Sequence, residues 1–69
     1  MNKQAAITEM RKGNKITHRH FSPSEWMTMK GNRILLEDGV NCFQEEFWQW
    51  RTDSTWDDGY SLFTEPKNQ

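Results

Sequence analysis

The sequence predicts a small α+β domain, with a small antiparallel sheet, an N-terminal helix and a short second helix. Three observations lead to this prediction: a helix-forming start closed by glycine, a hairpin pattern around Gly31-Asn32, and a helical stripe of rings after Asp38-Gly39. These elements follow the order helix, strand, hairpin, helix, strand, so the strands can pair in one sheet against which the helices pack.

The first predicted helix covers residues 3–12, most of which are good helix formers. Ala6 and Met10 stand four residues apart and Ile7 lies three before Met10, so the three side chains share one helix face. Asn2 can cap the first turn, and Gly13 suits the left-handed position that often ends a helix. We therefore expect a short amphipathic helix.

A strand is predicted for residues 15–20, because side-chain character alternates there with a period of two. Residues 22–25, Ser-Pro-Ser-Glu, then have the pattern of a helix-capping box with proline at the first helical position. Two interpretations of this box stay open. It forms a single turn before a hairpin, or it opens a two-turn helix over residues 23–30 that Gly31 ends.

Residues 26–30 and 33–37 flank Gly31-Asn32, a two-residue loop suited to a type II′ turn, and therefore predict a β-hairpin. Both faces of this hairpin carry apolar side chains, because the period of two points Trp26 away from Met27. A sheet that is apolar on both faces needs cover on both. We expect that cover to be one helix on each side, or a second subunit.

The second half of the chain begins with a turn at Asp38-Gly39. Phe43, Phe47 and Trp50 then recur with helical spacing and predict a helix over residues 43–51, with Asn41 as its cap.

A polar loop over residues 52–55 and a last strand over 60–63 complete the predicted order. One α+β domain is thus expected over residues 1–63, followed by a polar C-terminal tail over residues 64–69.

Composition shows how so short a chain builds a core. The 69 residues include four Trp, four Phe and one Tyr, but only one cysteine, so no intramolecular disulfide can form. Small domains that lack disulfides or structural zinc need large buried side chains or a partner subunit. We therefore expect a core of aromatic rings and a homo-oligomer.

The net charge is -1, which argues against a general binder of duplex nucleic acid, since duplex binding needs many cations on one face. Charge is nevertheless graded along the chain, with basic residues concentrated in residues 1–20 and acidic residues in 37–58. No apolar run approaches the length of a membrane span, and the N-terminus lacks the apolar centre of a signal peptide. We expect an intracellular protein with no membrane partner.

Catalytic and metal signals are weak. His18 and His20 would project to one face of a strand, but two ligands fall short of a metal site, so we predict none. Cys42 has no basic neighbour that would activate its thiol. The carboxylates come as adjacent pairs that point apart, and no glycine-rich phosphate loop is present. The sequence therefore predicts a protein that is not an enzyme and carries no cofactor.

Aromatic rings interleaved with a few cations are the feature that indicates a binding site. Bases stack on aromatic faces and arginine binds phosphate, so this mixture suits a small nucleotide better than a long polymer. An aromatic-rich core would contain many of the same residues, and that alternative stays open. The predicted ligand-binding residues are His18, Arg19, Trp26, Arg33, Arg51 and Tyr60.

Several short segments together resemble a known group of proteins. The strand motif is Gly-x-Lys-Ile-Thr-His over residues 13–18, followed by Phe-Ser-Pro-x-Glu-Trp-Met over 21–27. Glu-Asp-Gly at 37–39 and Trp-x-Asp-Gly-Tyr-Ser at 56–61 complete the order. In this order and spacing the chain resembles the small phage-encoded anti-Thoeris and anti-CBASS cyclic-nucleotide sponges over about residues 4 to 63.

This resemblance implies a homo-oligomer that captures a cyclic nucleotide immune signal in pockets between subunits, without cleaving it. It also implies a phage anti-defence role in the host cytoplasm. The alternative hypothesis is a protein-directed inhibitor or adaptor that binds a host protein through the acidic aromatic segment of residues 43–60, since clustered rings are common at interface hot spots.

Overall fold

Residues 1–64 are described by the computed structural model, which confirms the predicted α+β class. Its helices are α1 (Lys3–Arg11) and α2 (Gln44–Gln49), with a 3₁₀ helix at Ser54–Asp57. Its strands are β1 (Ile16–His18), β2 (Met27–Lys30), β3 (Arg33–Leu36), β4 (Asn41–Phe43) and β5 (Tyr60–Leu62). Of the predicted tail, Thr64 follows β5 as irregular chain, and residues 65–69 lie outside the described residues.

The strands form one antiparallel sheet in the order β4-β3-β2-β1-β5. In its central hairpin, Met27 lies opposite Leu36 and Lys30 lies opposite Arg33. The last strand returns to pair with the first, which places β5 at one edge of the sheet. The outer side of β5 is partly covered, because the Tyr60 N–H donates to the Met1 carbonyl at 3.1 Å. Such cover limits unwanted pairing at an exposed strand edge.

Local signals fix both ends of α1, as the sequence predicts. The Asn2 side chain accepts a hydrogen bond from the Ala5 N–H at 2.8 Å, which satisfies one of the free donors of the first turn. Gly13 follows the helix with a φ of 93°, a left-handed conformation that a side chain would strain. Near this end Asn14 donates to the Glu9 carboxylate, which, together with Lys12, lowers the pKa of Glu9.

The predicted hairpin is also confirmed. Gly31 has a φ of 62° and Asn32 does not have a positive φ, which is the pattern of a type II′ turn. The alternative helix over residues 23–30 is therefore wrong. Capping-box bonds do form, since the Ser22 N–H donates to Glu25 Oε1 at 2.9 Å, but they close a single turn. β2 then takes its backbone partners from β3 rather than from a helix.

The first strand is shorter than the predicted 15–20. Its end at His18 coincides with a turn in which the Phe21 N–H donates to the His18 carbonyl at 2.8 Å. The length of β1 is determined by its pairing with β2 and β5. The alternation of side chains within residues 15–20 does not show how far this pairing extends.

The predicted helix over residues 43–51 is correct only for its middle part, α2. The three residues before it form β4 and pair with β3, so Asn41 does not cap the helix. Its side chain instead accepts a hydrogen bond from Arg33 Nη1 at 3.0 Å. The prediction that the three rings share one buried helix face is also wrong, because Phe47 is buried but Phe43 and Trp50 are 44% and 80% exposed. Long-range pairing with β3 overrides the local helical spacing.

Both helices pack on the same face of the sheet, so the expectation of one helix on each side is wrong. α1 crosses β1, β2 and β5, while α2 lies against β3 and β4. The single core between these layers consists of Ala6, Ile7, Met10, Ile16, Met27, Met29, Ile34, Phe47 and Tyr60, together with His18. No helix among residues 1–64 has the length and apolar character that crossing a bilayer requires.

Candidate ligand-binding face

The opposite face of the sheet is not covered by either helix. We call it the open face. Because side chains alternate along each strand, it carries every second residue of the sheet and of the positions that directly flank the strands. Among the described residues, these are Lys15, Thr17, Arg19, Trp26, Thr28, Lys30, Arg33, Leu35, Glu37, Asn41, Phe43, Gly59, Ser61 and Phe63.

One corner of the open face holds two rings and a cation. The Trp26 and Phe63 ring centroids are 6.4 Å apart, within the range of aromatic contact. Lys15 Nζ lies 4.3 Å from the centre of the Trp26 ring, in cation–π geometry. The Phe63 N–H donates to the Lys15 carbonyl at 2.9 Å, which fixes the two backbones that carry these side chains.

The diagonally opposite corner holds a second pair of the same kind. The Arg33 guanidinium carbon lies 4.3 Å from the centre of the Phe43 ring. Arg33 Nη1 also donates to Asn41 Oδ1 at 3.0 Å, so this side chain contacts two residues of β4. A shallow pocket of about 180 Å³ opens beside it, lined by Lys30, Arg33, Leu35 and Asn41.

Charge distinguishes this face from the rest of the molecule. Among residues 1–64, its charged side chains are four cations, Lys15, Arg19, Lys30 and Arg33, and one carboxylate, Glu37, which directly follows β3. The other acidic residues described lie on the three helices and on turns and loops. Two of them, Glu25 and Asp38, lie close together near the Trp26 end. The backbone N–H of Ser22 lowers the pKa of Glu25, and the Asp38 carboxylate opposes this effect.

Of the six predicted binding residues, the structure places Arg19, Trp26 and Arg33 on the open face. Trp26 and Arg33 lie at opposite ends of the central hairpin, because Trp26 precedes the Met27–Leu36 pair and Arg33 is in the last pair. Four residues along β2 separate the two positions, about 13 Å at about 3.3 Å per residue. They share a surface, but they do not line one small pocket.

His18 lies on the other face, in the core, with 3% of its surface exposed. Its Nε2 is 2.8 Å from the Asp58 carbonyl and 3.1 Å from the Thr55 carbonyl, and its Nδ1 is 3.2 Å from the His20 N–H. Carbonyls accept and the N–H donates, so these partners fix a neutral imidazole with its proton on Nε2. Both ring nitrogens are thus engaged within the protein.

Tyr60 and Arg51 belong to the same interior cluster as His18. The Tyr60 hydroxyl donates to the Trp56 carbonyl at 2.6 Å, and its ring is 2% exposed. Burial raises the pKa of Tyr60 to about 12, with the Asp57 carboxylate adding to the rise and Arg51 opposing it.

The Arg51 guanidinium lies 3.9 Å from the Phe47 ring centre and donates to the Phe47 carbonyl at 2.9 Å. Arg51 therefore stabilises the C-terminal end of α2.

Arg19 lies on the open face just beyond the end of β1. Its side chain is exposed, and its guanidinium lies against Gly59, in the space that a Cβ at that position would need. The Arg19 N–H also donates to the Gly59 carbonyl at 3.1 Å, which continues the β1–β5 register. The six predicted residues are thus divided into three on the open face and three in the interior cluster.

Sequence analysis missed Lys15, Lys30, Asn41 and Phe43 as members of the site. A signal for the lysines was present, because the alternation of β1 and the hairpin register place both on the face of Trp26. No such signal existed for Asn41 and Phe43, whose strand was taken for the start of a helix.

Among residues 1–64, no group of three or more His, Cys, Asp and Glu side chains is arranged to hold a metal ion. Comparison with protein-family models, curated proteins and solved structures finds no match to this chain.

Proposed function

We propose that this protein is a non-enzymatic binding protein that captures a nucleotide on its open face. The observation that carries the proposal is the pair of ring–cation contacts, Lys15 with Trp26 and Arg33 with Phe43, on a face whose described residues include four cations and one carboxylate. Rings offer stacking surfaces to bases, and the neighbouring cations can bind the phosphates that follow each base. The arrangement supplies affinity without any group positioned for chemistry.

The two cations would change partners when a nucleotide binds. Lys15 lies over the Trp26 ring, so a base that stacks there displaces the ammonium toward the phosphate of the same nucleotide. Arg33 already contacts Asn41 and Phe43, so its guanidinium can bind a phosphate through two donors with less loss of side-chain freedom. Preordered donors lower the entropy cost of binding.

The resemblance to the cyclic-nucleotide sponges supplies the biological part of the proposal. We infer that the ligand is a cyclic nucleotide immune signal and that the protein acts in the host cytoplasm during phage infection. Sequestration needs tight binding and no turnover, which agrees with a site of rings and cations.

Homo-oligomerisation belongs to the same proposal. The open face includes Leu35 and several partly exposed rings, and neither helix of residues 1–64 covers it. A second subunit placed over it would enclose a bound ligand between two copies. Size-exclusion chromatography with light scattering, run with and without ligand, tests this step. A strictly monomeric protein in both runs would contradict it.

The experiment that tests the function is thermal unfolding of the purified protein against cyclic dinucleotides, cyclic trinucleotides and cyclic ADP-ribose isomers. A ligand present at about 100 times its Kd stabilises the folded state by about 2.7 kcal/mol, a shift of about 10 °C or more for a domain of this size. We expect one compound to give such a shift and to be recovered intact. Conversion of the compound would contradict the non-enzymatic part of the proposal.

Matched variants test whether the ligand binds at the open face. Trp26→Ala and Arg33→Ala should abolish the thermal shift while both proteins remain folded. Trp50→Ala and Arg11→Ala are the controls, because each removes the same side-chain type from an exposed position away from the open face. If Trp26→Ala and Arg33→Ala both keep the shift, the ligand binds elsewhere.

A second candidate function, a protein-directed inhibitor or adaptor, is favoured by one observation. Trp50 is 80% exposed at the C-terminal end of α2, a helix whose first turn carries Glu45 and Glu46, and a large exposed ring is typical of interface anchors. A pull-down from host lysate tests it. We expect Trp50→Ala to lose any stoichiometric partner and Trp26→Ala to keep it, whereas the absence of a partner would count against this candidate.

A further inference from the structure

We propose that the open face binds a short linear single strand of nucleic acid laid diagonally across the sheet, from the Trp26–Phe63 corner to the Phe43–Arg33 corner. This inference rests on the proposed function, because it uses the same face for nucleotides, and it names a more specific class of ligand. The observation behind it is that the two ring–cation pairs stand far apart on one continuous surface.

The separation follows from the register. Trp26 and Lys30 are four residues apart, about 13 Å along β2, and Phe43 lies two strands across from Lys30, about 10 Å at about 4.8 Å per strand. The two corners are therefore about 16 Å apart. A mononucleotide reaches only one of them. A stacked strand rises about 3.4 Å per nucleotide, so about five nucleotides span the distance.

The surface between the corners suits such a strand. The pocket of about 180 Å³ next to Arg33 is smaller than the roughly 300 Å³ or more of sites that enclose a whole small ligand. It has room for one phosphate or one base edge, with two cations and the Asn41 amide as partners. Leu35 and Thr28 lie side by side in the middle of the face, where a base or sugar can pack.

Charge favours a polyanion, and ring geometry favours single strands. Among the described residues, the face carries four cations and one carboxylate, and three of the cations, Lys15, Lys30 and Arg33, lie along the diagonal, so a backbone that crosses it gains ion pairs at both ends of its path. Exposed rings on a sheet stack on bases that are free of a duplex, as sheet-based single-strand binders do.

Fluorescence anisotropy with labelled mixed-sequence octanucleotides of DNA and RNA, beside the matching duplexes, tests the inference. We expect both single strands to bind and the duplexes to bind at least tenfold more weakly. With three phosphates neutralised, the slope of log affinity against log salt should be about -2, at about -0.7 per phosphate. Affinity should then fall roughly 15-fold between about 50 and about 200 mM salt. A stronger RNA signal would indicate contacts to the 2′-hydroxyl.

Variants at the far corner separate this inference from the proposed function. Phe43→Leu keeps an apolar side chain and removes the ring, so it should weaken oligonucleotide binding about tenfold through lost stacking. Phe43→Ala should have the same effect, and Leu62→Ala, a similarly exposed apolar side chain on the other face, should have none. Lys30→Gln combined with Arg33→Gln should reduce the salt slope to about -0.7.

The outcomes are distinct. Cyclic nucleotides that bind while the octanucleotides do not would overturn this inference and leave the proposed function standing. If neither class binds to a folded protein, both are overturned. Oligonucleotide binding that Phe43→Leu and the double charge variant leave unchanged, or equal binding of duplexes, would show that the open face is not the platform proposed here.

Discussion

The imidazole of His18 is stacked on the indole of Trp56, with ring centroids 4.4 Å apart and planes 29° apart. This contact joins β1 to the 3₁₀ helix, and the bonds from His18 Nε2 to the Asp58 and Thr55 carbonyls reinforce it. Both bonds are partly buried, and a carbonyl that loses its partner away from water is costly, so His18 contributes to the stability of this turn. A histidine in such surroundings stabilises the protein and presents no nitrogen to a ligand.

We therefore predict that His18→Ala lowers the free energy of unfolding by about 3 kcal/mol, from the lost ring packing and the two unpaired carbonyls. Urea denaturation measures the change. His20→Ala is the control, since His20 is exposed and its side chain should contribute less than about 0.5 kcal/mol. If His18→Ala kept full stability but lost ligand binding, the division between interior cluster and open face would be wrong.

The pH dependence of stability should reflect Tyr60. Its pKa is about 12 in the folded protein, against about 10 in an unfolded chain, because burial disfavours the phenolate. The folded state therefore favours the neutral form. This contribution to stability is complete below about pH 10 and is lost as the pH rises through about 10 to about 12.

Because the chain has a single tyrosine, phenolate absorbance during an alkaline titration reports this group directly. Tyr60→Phe should flatten the alkaline part of the pH–stability curve. At neutral pH the same variant should lose about 1 kcal/mol, the typical contribution of the hydrogen bond to the Trp56 carbonyl. A titration at the ordinary tyrosine pKa in the folded protein would contradict the burial described here.

Elements with local signals could be predicted from the sequence, and elements defined by distant partners could not. Asn2, Gly13 and the Gly31-Asn32 loop act on their immediate neighbours, so α1 and the hairpin were predicted nearly residue by residue. β4 exists only because it pairs with β3, and nothing in residues 41–43 marks a strand. The helical spacing of Phe43, Phe47 and Trp50 therefore does not correspond to one buried helix face.

The residues of the candidate site could likewise be predicted only where a local signal places them. Trp26 and Arg33 could be placed on one face, because the hairpin register is a local property. The sequence did not show that β5 returns to β1, so it grouped His18 and Tyr60, which face each other across that pair, with residues of the other face. Which face the helices cover depends on the packing of α1 and α2 together, and only the structure reveals it.

The N-cap of α1 is the subject of a third prediction. Asn2→Ala removes the acceptor for the Ala5 N–H and should lower the free energy of unfolding by about 1 kcal/mol. Asn2→Asp keeps an acceptor and should retain most of the stability. Urea denaturation of both variants measures the difference, and equal losses in the two would mean that the cap does not contribute through this bond.

The fourth prediction concerns Gly31, whose turn places Lys30 opposite Arg33 on the open face. A Cβ at this position would meet no atom within 4 Å, so the penalty for Gly31→Ala comes from the backbone alone, which has a φ of 62°. We expect a loss of about 1 kcal/mol in urea denaturation, and a smaller loss for Gly31→Asn, because asparagine tolerates positive φ better.

At Gly59, in contrast to Gly31, a Cβ would also collide with the Arg19 guanidinium. Gly59→Ala should therefore be more destabilising than Gly31→Ala, and combining it with Arg19→Ala should recover part of the loss. No recovery in the double variant would show that the Arg19 contact does not limit this position.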